Sequence, residues 1–204
     1  MNITRELRGL GISILGLGFA FAVLFFGDSS PRFLLQPEFL PALVVATGLA
    51  AASFTPHEAM HRVTARALNA YAEYRIWKPG VVLAVLSSFL GVVFAAPGGV
   101  KMHTKRGERY GYWAPTLDID QTGVIAVVGP LINVMIAVIL AFLAGSYTIM
   151  FQGTNLLTVG SNINAFLAVS NLLPFYPMDG YKVLRWNTFI WAVVITLSIL
   201  LFFL

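Results

Sequence analysis

Apolar runs at Leu10–Phe26, Phe39–Phe54, Val81–Pro97, Thr122–Ala144, Leu156–Pro174 and Phe189–Leu204 occupy most of this chain. A helix needs about 20 residues to cross a hydrocarbon core of about 30 Å, and most of these runs approach that length. Only 11% of the residues are charged, against roughly 25% in a soluble domain. The expected class is therefore an all-α polytopic membrane protein with about five to six transmembrane helices, a single domain over residues 1–204, with the lipid bilayer as its solvent. Cysteine is absent, which excludes disulfides and thiolate metal sites. A net charge of +4 reports topology in such a chain and is no sign of nucleic-acid binding.

Basic residues in short loops mark the cytoplasmic side. With Arg5 and Arg8 inside, the first span exits near Arg32. The second returns to Arg62, Arg66, Arg75 and Lys78. The run Val81–Pro97 then poses a conflict, because Lys101, Lys105, Arg106 and Arg109 follow it. If it crosses, they lie outside; if it dips in and returns, all but Arg32 of the 13 basic residues are cytoplasmic. The segment is rich in Val, Phe and Gly and ends in Pro97-Gly98-Gly99, a composition that suits strand-like or broken structure. The reading is a re-entrant or β-hairpin element here, with an ordinary sixth span as the alternative.

Within the second run stands FTPHEAMH, residues 54–61. On a helix His57 and His61, four apart, project from one face and can share one tetrahedral zinc ion. Glu58, beside the first histidine, can act on a water without filling a coordination position. Zinc contributes Lewis acidity that brings the pKa of a water towards neutrality, and a carboxylate takes the proton as water attacks a peptide carbonyl. Two histidines and a glutamate could instead make interhelical hydrogen bonds. Ionisable groups are costly in a membrane, however, and mark functional sites by default.

A catalytic zinc has three protein ligands and an open position. Candidates for the third are Glu73, His103, Asp118, Asp120 and Asp179. The last differs in setting: in NLLPFYPMDG, residues 171–180, two prolines break the helix after Asn171 and deliver the carboxylate at the mouth of an apolar segment.

HEAMH paired with NLLPFYPMDG resembles the site-2 protease family of intramembrane zinc metalloproteases, whose motifs read HExxH and NxxPxxxxDG. The Gly129-Pro130-Leu131-Ile132-Asn133 stretch resembles a weaker family feature, with Asn133 expected to serve packing or interhelical bonding. The motif-bearing core runs from about residue 39 to 186, in the manner of compact prokaryotic-type members. The resemblance implies one Zn²⁺ per chain held by His57, His61 and Asp179, with Glu58 as general base. It also implies that Asn171 helps hold the substrate backbone or the developing oxyanion, and that a β element lies between the HExxH helix and the next core helix. It implies a multi-pass protein of the cell membrane with its active site towards the cytoplasmic side, cutting single-span transmembrane proteins; it leaves the oligomeric state open. One zinc also requires that Val81–Pro97 make no net crossing, since otherwise Asp179 would emerge opposite the histidines.

An extended substrate paired to the Val92–Val100 edge would be both unwound and held. The loop Lys101–Pro115, with Tyr110, Tyr112 and Trp113, reads as an interfacial anchor. The competing class is a non-catalytic metal-binding scaffold or a metal transporter. A transporter would distribute polar residues along a path, often with repeat symmetry, and no repeat is evident.

Overall fold

The computed structural model describes residues 3–104 and 117–203. The cluster Lys105, Arg106 and Arg109 and the aromatic residues Tyr110, Tyr112 and Trp113 lie outside the described residues. The protein is mostly helical. In chain order the elements are α1 (Ile3–Phe26), α2 (Phe39–Ala67), β1 (Ala70–Ile76), α3 (Lys78–Ser88), β2 (Gly98–Thr104), α4 (Ile119–Ala144), β3 (Met150–Phe151), β4 (Thr154–Asn155), α5 (Leu156–Asn171), α6 (Asp179–Trp186) and α7 (Thr188–Phe202). A 3-10 turn, Pro31–Leu35, joins α1 to α2.

Helices α1, α2 and α4, of 24, 29 and 26 residues, are long and apolar enough to cross a membrane, consistent with a membrane protein. At 1.5 Å per residue they exceed about 30 Å, whereas α5 and α7, of 16 and 15 residues, reach only about 24 Å and 22 Å. The protein interior is built of small residues, Ala20, Ala22, Ala42, Ala46 and Ala50 among them, which let helices approach closely where lipid supplies no hydrophobic drive between them. Large apolar side chains such as Leu15, Val44, Leu86 and Phe142 face outwards.

A β element does lie between α2 and the next long helix, but it shares only Gly98–Val100 with the Val92–Val100 edge that composition suggested. Residues 81–88 are helical, because Pro79 in the first turn pre-sets the backbone for helix. At 11 residues α3 spans only about 16 Å. Residues 89–97 form a loop, and the strand falls on Gly98–Thr104, antiparallel to β1 with Tyr74 opposite Val100. The second half of the loop is buried within protein, with Val93, Ala95 and Ala96 inaccessible or nearly so, while Leu90 and Val92 are exposed. Its amides are paired, Phe94 N–H donating to Ser87 Oγ at 3.0 Å and Ala95 N–H to Ser170 Oγ at 3.3 Å.

One polar knot ties α1 to this element. Glu6, only 4% exposed, accepts from Arg62 Nη2 and from the Tyr74 backbone N–H, both at 2.7 Å. The Tyr74 hydroxyl meets Ser13 Oγ at 2.6 Å.

Candidate metal centre

Helix α2 carries His57, Glu58 and His61, all buried. The chain then leaves α5 at Asn171, runs through Pro174 and Pro177, and enters α6 with Asp179 as its first residue after the N-cap Met178. His57 Nε2 and His61 Nε2 are 3.1 Å apart, and Asp179 Oδ2 lies 3.4 Å from the first and 3.0 Å from the second. These form the one group of three side chains among the described residues that could together hold a metal ion.

The hydrogen bonds behind the imidazoles decide what this cluster is. Asn133 Nδ2 faces Ser53 O at 3.0 Å and Asn164 Oδ1 at 2.7 Å; a carbonyl only accepts, so the amide nitrogen must sit on that side. The Asn133 oxygen therefore faces His57, whose Nδ1 donates to it at 2.6 Å. His61 Nδ1 likewise donates to Ile125 O at 2.6 Å. In a neutral imidazole the other nitrogen is then a bare acceptor. Two lone pairs and a carboxylate oxygen thus face one another with no donor among them, an arrangement that a bound metal ion satisfies, as would a proton on one imidazole. Two ligand atoms about 2.1 Å from a tetrahedral zinc would be about 3.4 Å apart, close to the separations found. Two nitrogens, one oxygen and oriented imidazoles fit Zn²⁺.

Packing leaves no slack. An added Cβ at Gly129 of α4 would collide with Nε2 and Cε1 of His61 and with Nε2 of His57, so glycine lets α4 lie directly against both rings. Phe54 stacks on His57 from within α2, with ring centroids 6.1 Å apart. The Lys182 ammonium, 2.8 Å from Oδ1, favours the ionised form of the Asp179 carboxyl against the opposing effect of burial.

Glu58 points elsewhere on α2. It accepts no hydrogen bond among the described residues and lines a cavity of about 230 Å³ with Leu7, Leu10, Ile14, Thr55 and Arg62. At about 30 Å³ per liquid water, such a volume holds several. Asn171 is also buried, but its amide donates to Leu167 O at 2.9 Å within its own helix, and no hydrogen bond links it to the three-residue cluster. The remaining third-ligand candidates have other partners. Glu73 pairs with Arg75 at 3.1 Å, Asp118 caps α4 through Gln121 N–H, Asp120 accepts from Trp186 Nε1, and His103 lies in β2 opposite Tyr71.

Sequence reasoning missed Asn164, whose amide donates to Ser53 Oγ and Gly160 O, both at 2.8 Å, and Lys182, 2.8 Å from Asp179 Oδ1. Asn164 has no distinguishing spacing; Lys182 follows Asp179 by three residues, a pair that would have been visible once α6 was assumed.

A Methanocaldococcus jannaschii protein named "putative zinc metalloprotease" is 36% identical over 195 residues, 93% of this chain and 88% of that protein. The chain belongs to this zinc metalloprotease family. A second protein of that organism, named a zinc metalloprotease, is 36% identical over 61 residues, 30% of this chain but only 18% of the other. No protein-family model and no solved structure matches the chain. The metalloprotease thus carries its HExxH histidines and a distant aspartate within reach of one ion.

Proposed function

We propose that this metalloprotease is an intramembrane enzyme of the site-2 type, hydrolysing peptide bonds within or near the transmembrane segments of single-span proteins. The observation that carries the reading is a donor-free His57–His61–Asp179 cluster buried beside a span-length helix. In this reading the three side chains hold one Zn²⁺, which when bound contributes Lewis acidity to water and to a substrate carbonyl. Glu58 takes the proton from the attacking water and passes it to the leaving amine. The cavity against Glu58 has room for water on the side of the carboxylate that faces Leu7, Leu10 and Arg62. Asn133 and Ile125 O keep both imidazoles in the tautomer that presents Nε2. Asn171 serves the substrate backbone or the developing oxyanion by exchanging its bond to Leu167 O for one to substrate.

The β1–α3–β2 segment is the re-entrant element. Helix α3 is too short to cross, and the buried half of the loop that follows, from Val93 to Ala96, meets the condition for irregular backbone at membrane depth. The active site accordingly opens towards the cytoplasmic side of the cell membrane.

Substrate would add to β2. Because the Tyr74 N–H points away from β2 to Glu6, Tyr74 and Val100 form a non-hydrogen-bonded pair in the antiparallel ladder. The N–H and C=O of Val100 and Met102 therefore point to the edge of β2 that no strand pairs among the described residues. That edge borders a cavity of about 480 Å³ lined by Trp77, Lys101, Leu117, Thr122, Tyr176 and Lys182, among others. An extended peptide bound there has surrendered its helical hydrogen bonds.

The test is reconstitution in liposomes with a single-span reporter, the products mapped by mass spectrometry. Cleavage within or beside the span by wild type and none by Glu58→Gln is expected. Cutting confined to a soluble tail far from the bilayer would overturn the intramembrane reading while leaving the metalloprotease intact.

A further inference from the structure

We propose that Lys182 is a positioning residue that selects which oxygen of Asp179 faces the imidazoles and ties that choice to the open edge of β2. The proposal rests on the metal-centre reading above. A carboxylate has two equivalent oxygens, and nothing intrinsic to Asp179 makes one of them turn to the histidines. The Lys182 ammonium breaks the equivalence: Nζ lies 2.8 Å from Oδ1, leaving Oδ2 at 3.0 Å and 3.4 Å from the two imidazole nitrogens. The spacing of three residues on α6 brings the lysine over the aspartate. Its side chain is 15% exposed against 2% for the aspartate, so water screens the pair poorly.

The same ammonium donates to Val100 O at 3.2 Å. By the phase of the ladder that carbonyl faces away from β1, towards the edge of β2 left unpaired among the described residues, where an extended substrate would sit. A second contact joins the strand to the aspartate's loop, because Pro177 O lies where a Cβ on Gly99 would stand. Lysine has three donors on one rotatable group. Two are used, and the residue borders the cavity along the β2 edge. A strand pairing with Val100 must therefore meet the group that orients the third metal-binding side chain. Placement of substrate and orientation of Asp179 are coupled through one side chain.

The experiment compares full-length wild type, Lys182→Met and Lys182→Arg in detergent, measuring zinc affinity by chelator competition and the visible spectrum of Co²⁺-substituted protein. Methionine keeps the stem and removes the donors; arginine keeps donors for both partners. The expected result is zinc held about 10- to 100-fold more weakly by Lys182→Met, with a changed Co²⁺ spectrum, and Lys182→Arg within about threefold of wild type. Melting of the metal-free proteins separates positioning from packing. A Lys182→Met protein that melts lower but keeps wild-type zinc affinity and Co²⁺ spectrum would overturn the proposal. Should Lys182→Met fail to fold, Lys182→Leu, which also lacks donors, is judged by the same two criteria. Wild type that takes up neither metal would defeat the metal-centre reading beneath the proposal, a result distinct from loss of affinity in the variant alone.

Discussion

Replacing Asn133 by alanine should separate the two tasks its amide performs. The oxygen holds the His57 Nδ1 proton at 2.6 Å, while the nitrogen donates to Ser53 O at 3.0 Å and Asn164 Oδ1 at 2.7 Å. Loss of the acceptor frees His57 to rotate or change tautomer. Removing such a partner behind a metal-binding histidine typically costs about 10- to 100-fold in metal affinity, about 1.4 to 2.7 kcal/mol. Loss of all three bonds also weakens the metal-free fold. In water the unsatisfied acceptors would cost about 1–3 kcal/mol each. In a membrane the unfolded chain also finds partners, so about 0.6 kcal/mol per bond is the better guide, or about 2 kcal/mol in all. Asn133→Asp distinguishes the effects, since it keeps an acceptor for His57 but cannot donate to Ser53 or Asn164. Chelator competition and melting of the metal-free protein are the assays. Asn133→Ala is expected to lose both zinc affinity and stability, and Asn133→Asp mainly stability. Zinc affinity within about twofold of wild type in Asn133→Ala would refute the argument that this amide orients His57.

Three further outcomes follow from the packing. Gly129→Ala should abolish stable zinc binding, measured as metal content after dialysis, because its methyl would occupy space held by both imidazoles; full zinc occupancy would show that α4 can retreat. Met102→Pro, which removes an N–H on the open edge of β2, should impair cleavage with zinc retained, whereas Lys101→Pro removes an N–H of the ladder with β1 and should lower the melting temperature as well. Equal stability of the two variants would contradict the assigned ladder phase. Glu6→Ala leaves the Tyr74 N–H unpaired and Arg62 without its carboxylate, so melting should fall by the equivalent of about 1–3 kcal/mol; an unchanged melting temperature would mean that α1 is held by its apolar contacts alone.

How far the sequence could be read depended on whether a feature is local. The four-residue spacing of His57 and His61 is a property of any helix, so their shared face was legible without knowing the fold. Asp179 stood apart from four other candidates because Pro174 and Pro177 break the helix before it, and the resemblance of NLLPFYPMDG to a family motif singled it out; that α6 starts at the carboxylate is visible only in the structure. The strand was misplaced because Val81-Val82-Leu83 resembles strand by composition, yet Pro79 starts a helix there. The strand itself, Gly98-Gly99-Val100-Lys101, has glycines where strand formers would be expected. Its position is fixed by pairing with β1 across the intervening α3 and loop, a non-local contact. Asn133 was expected to bond between helices, and it does; that its oxygen fixes the tautomer of His57 depends on where Ser53 and Asn164 lie. The burial of Glu6 could not be seen from a segment that reads as a basic start to a first span.

The most direct measurement is zinc content and reporter cleavage on the same preparations of wild type, Glu58→Gln and Asp179→Ala. Wild type should hold one zinc per chain and cut, Glu58→Gln should hold zinc without cutting, and Asp179→Ala should lose both. Cleavage by Glu58→Gln, or a full complement of zinc in Asp179→Ala, would contradict the assignment of base and metal-binding residues made from this cluster.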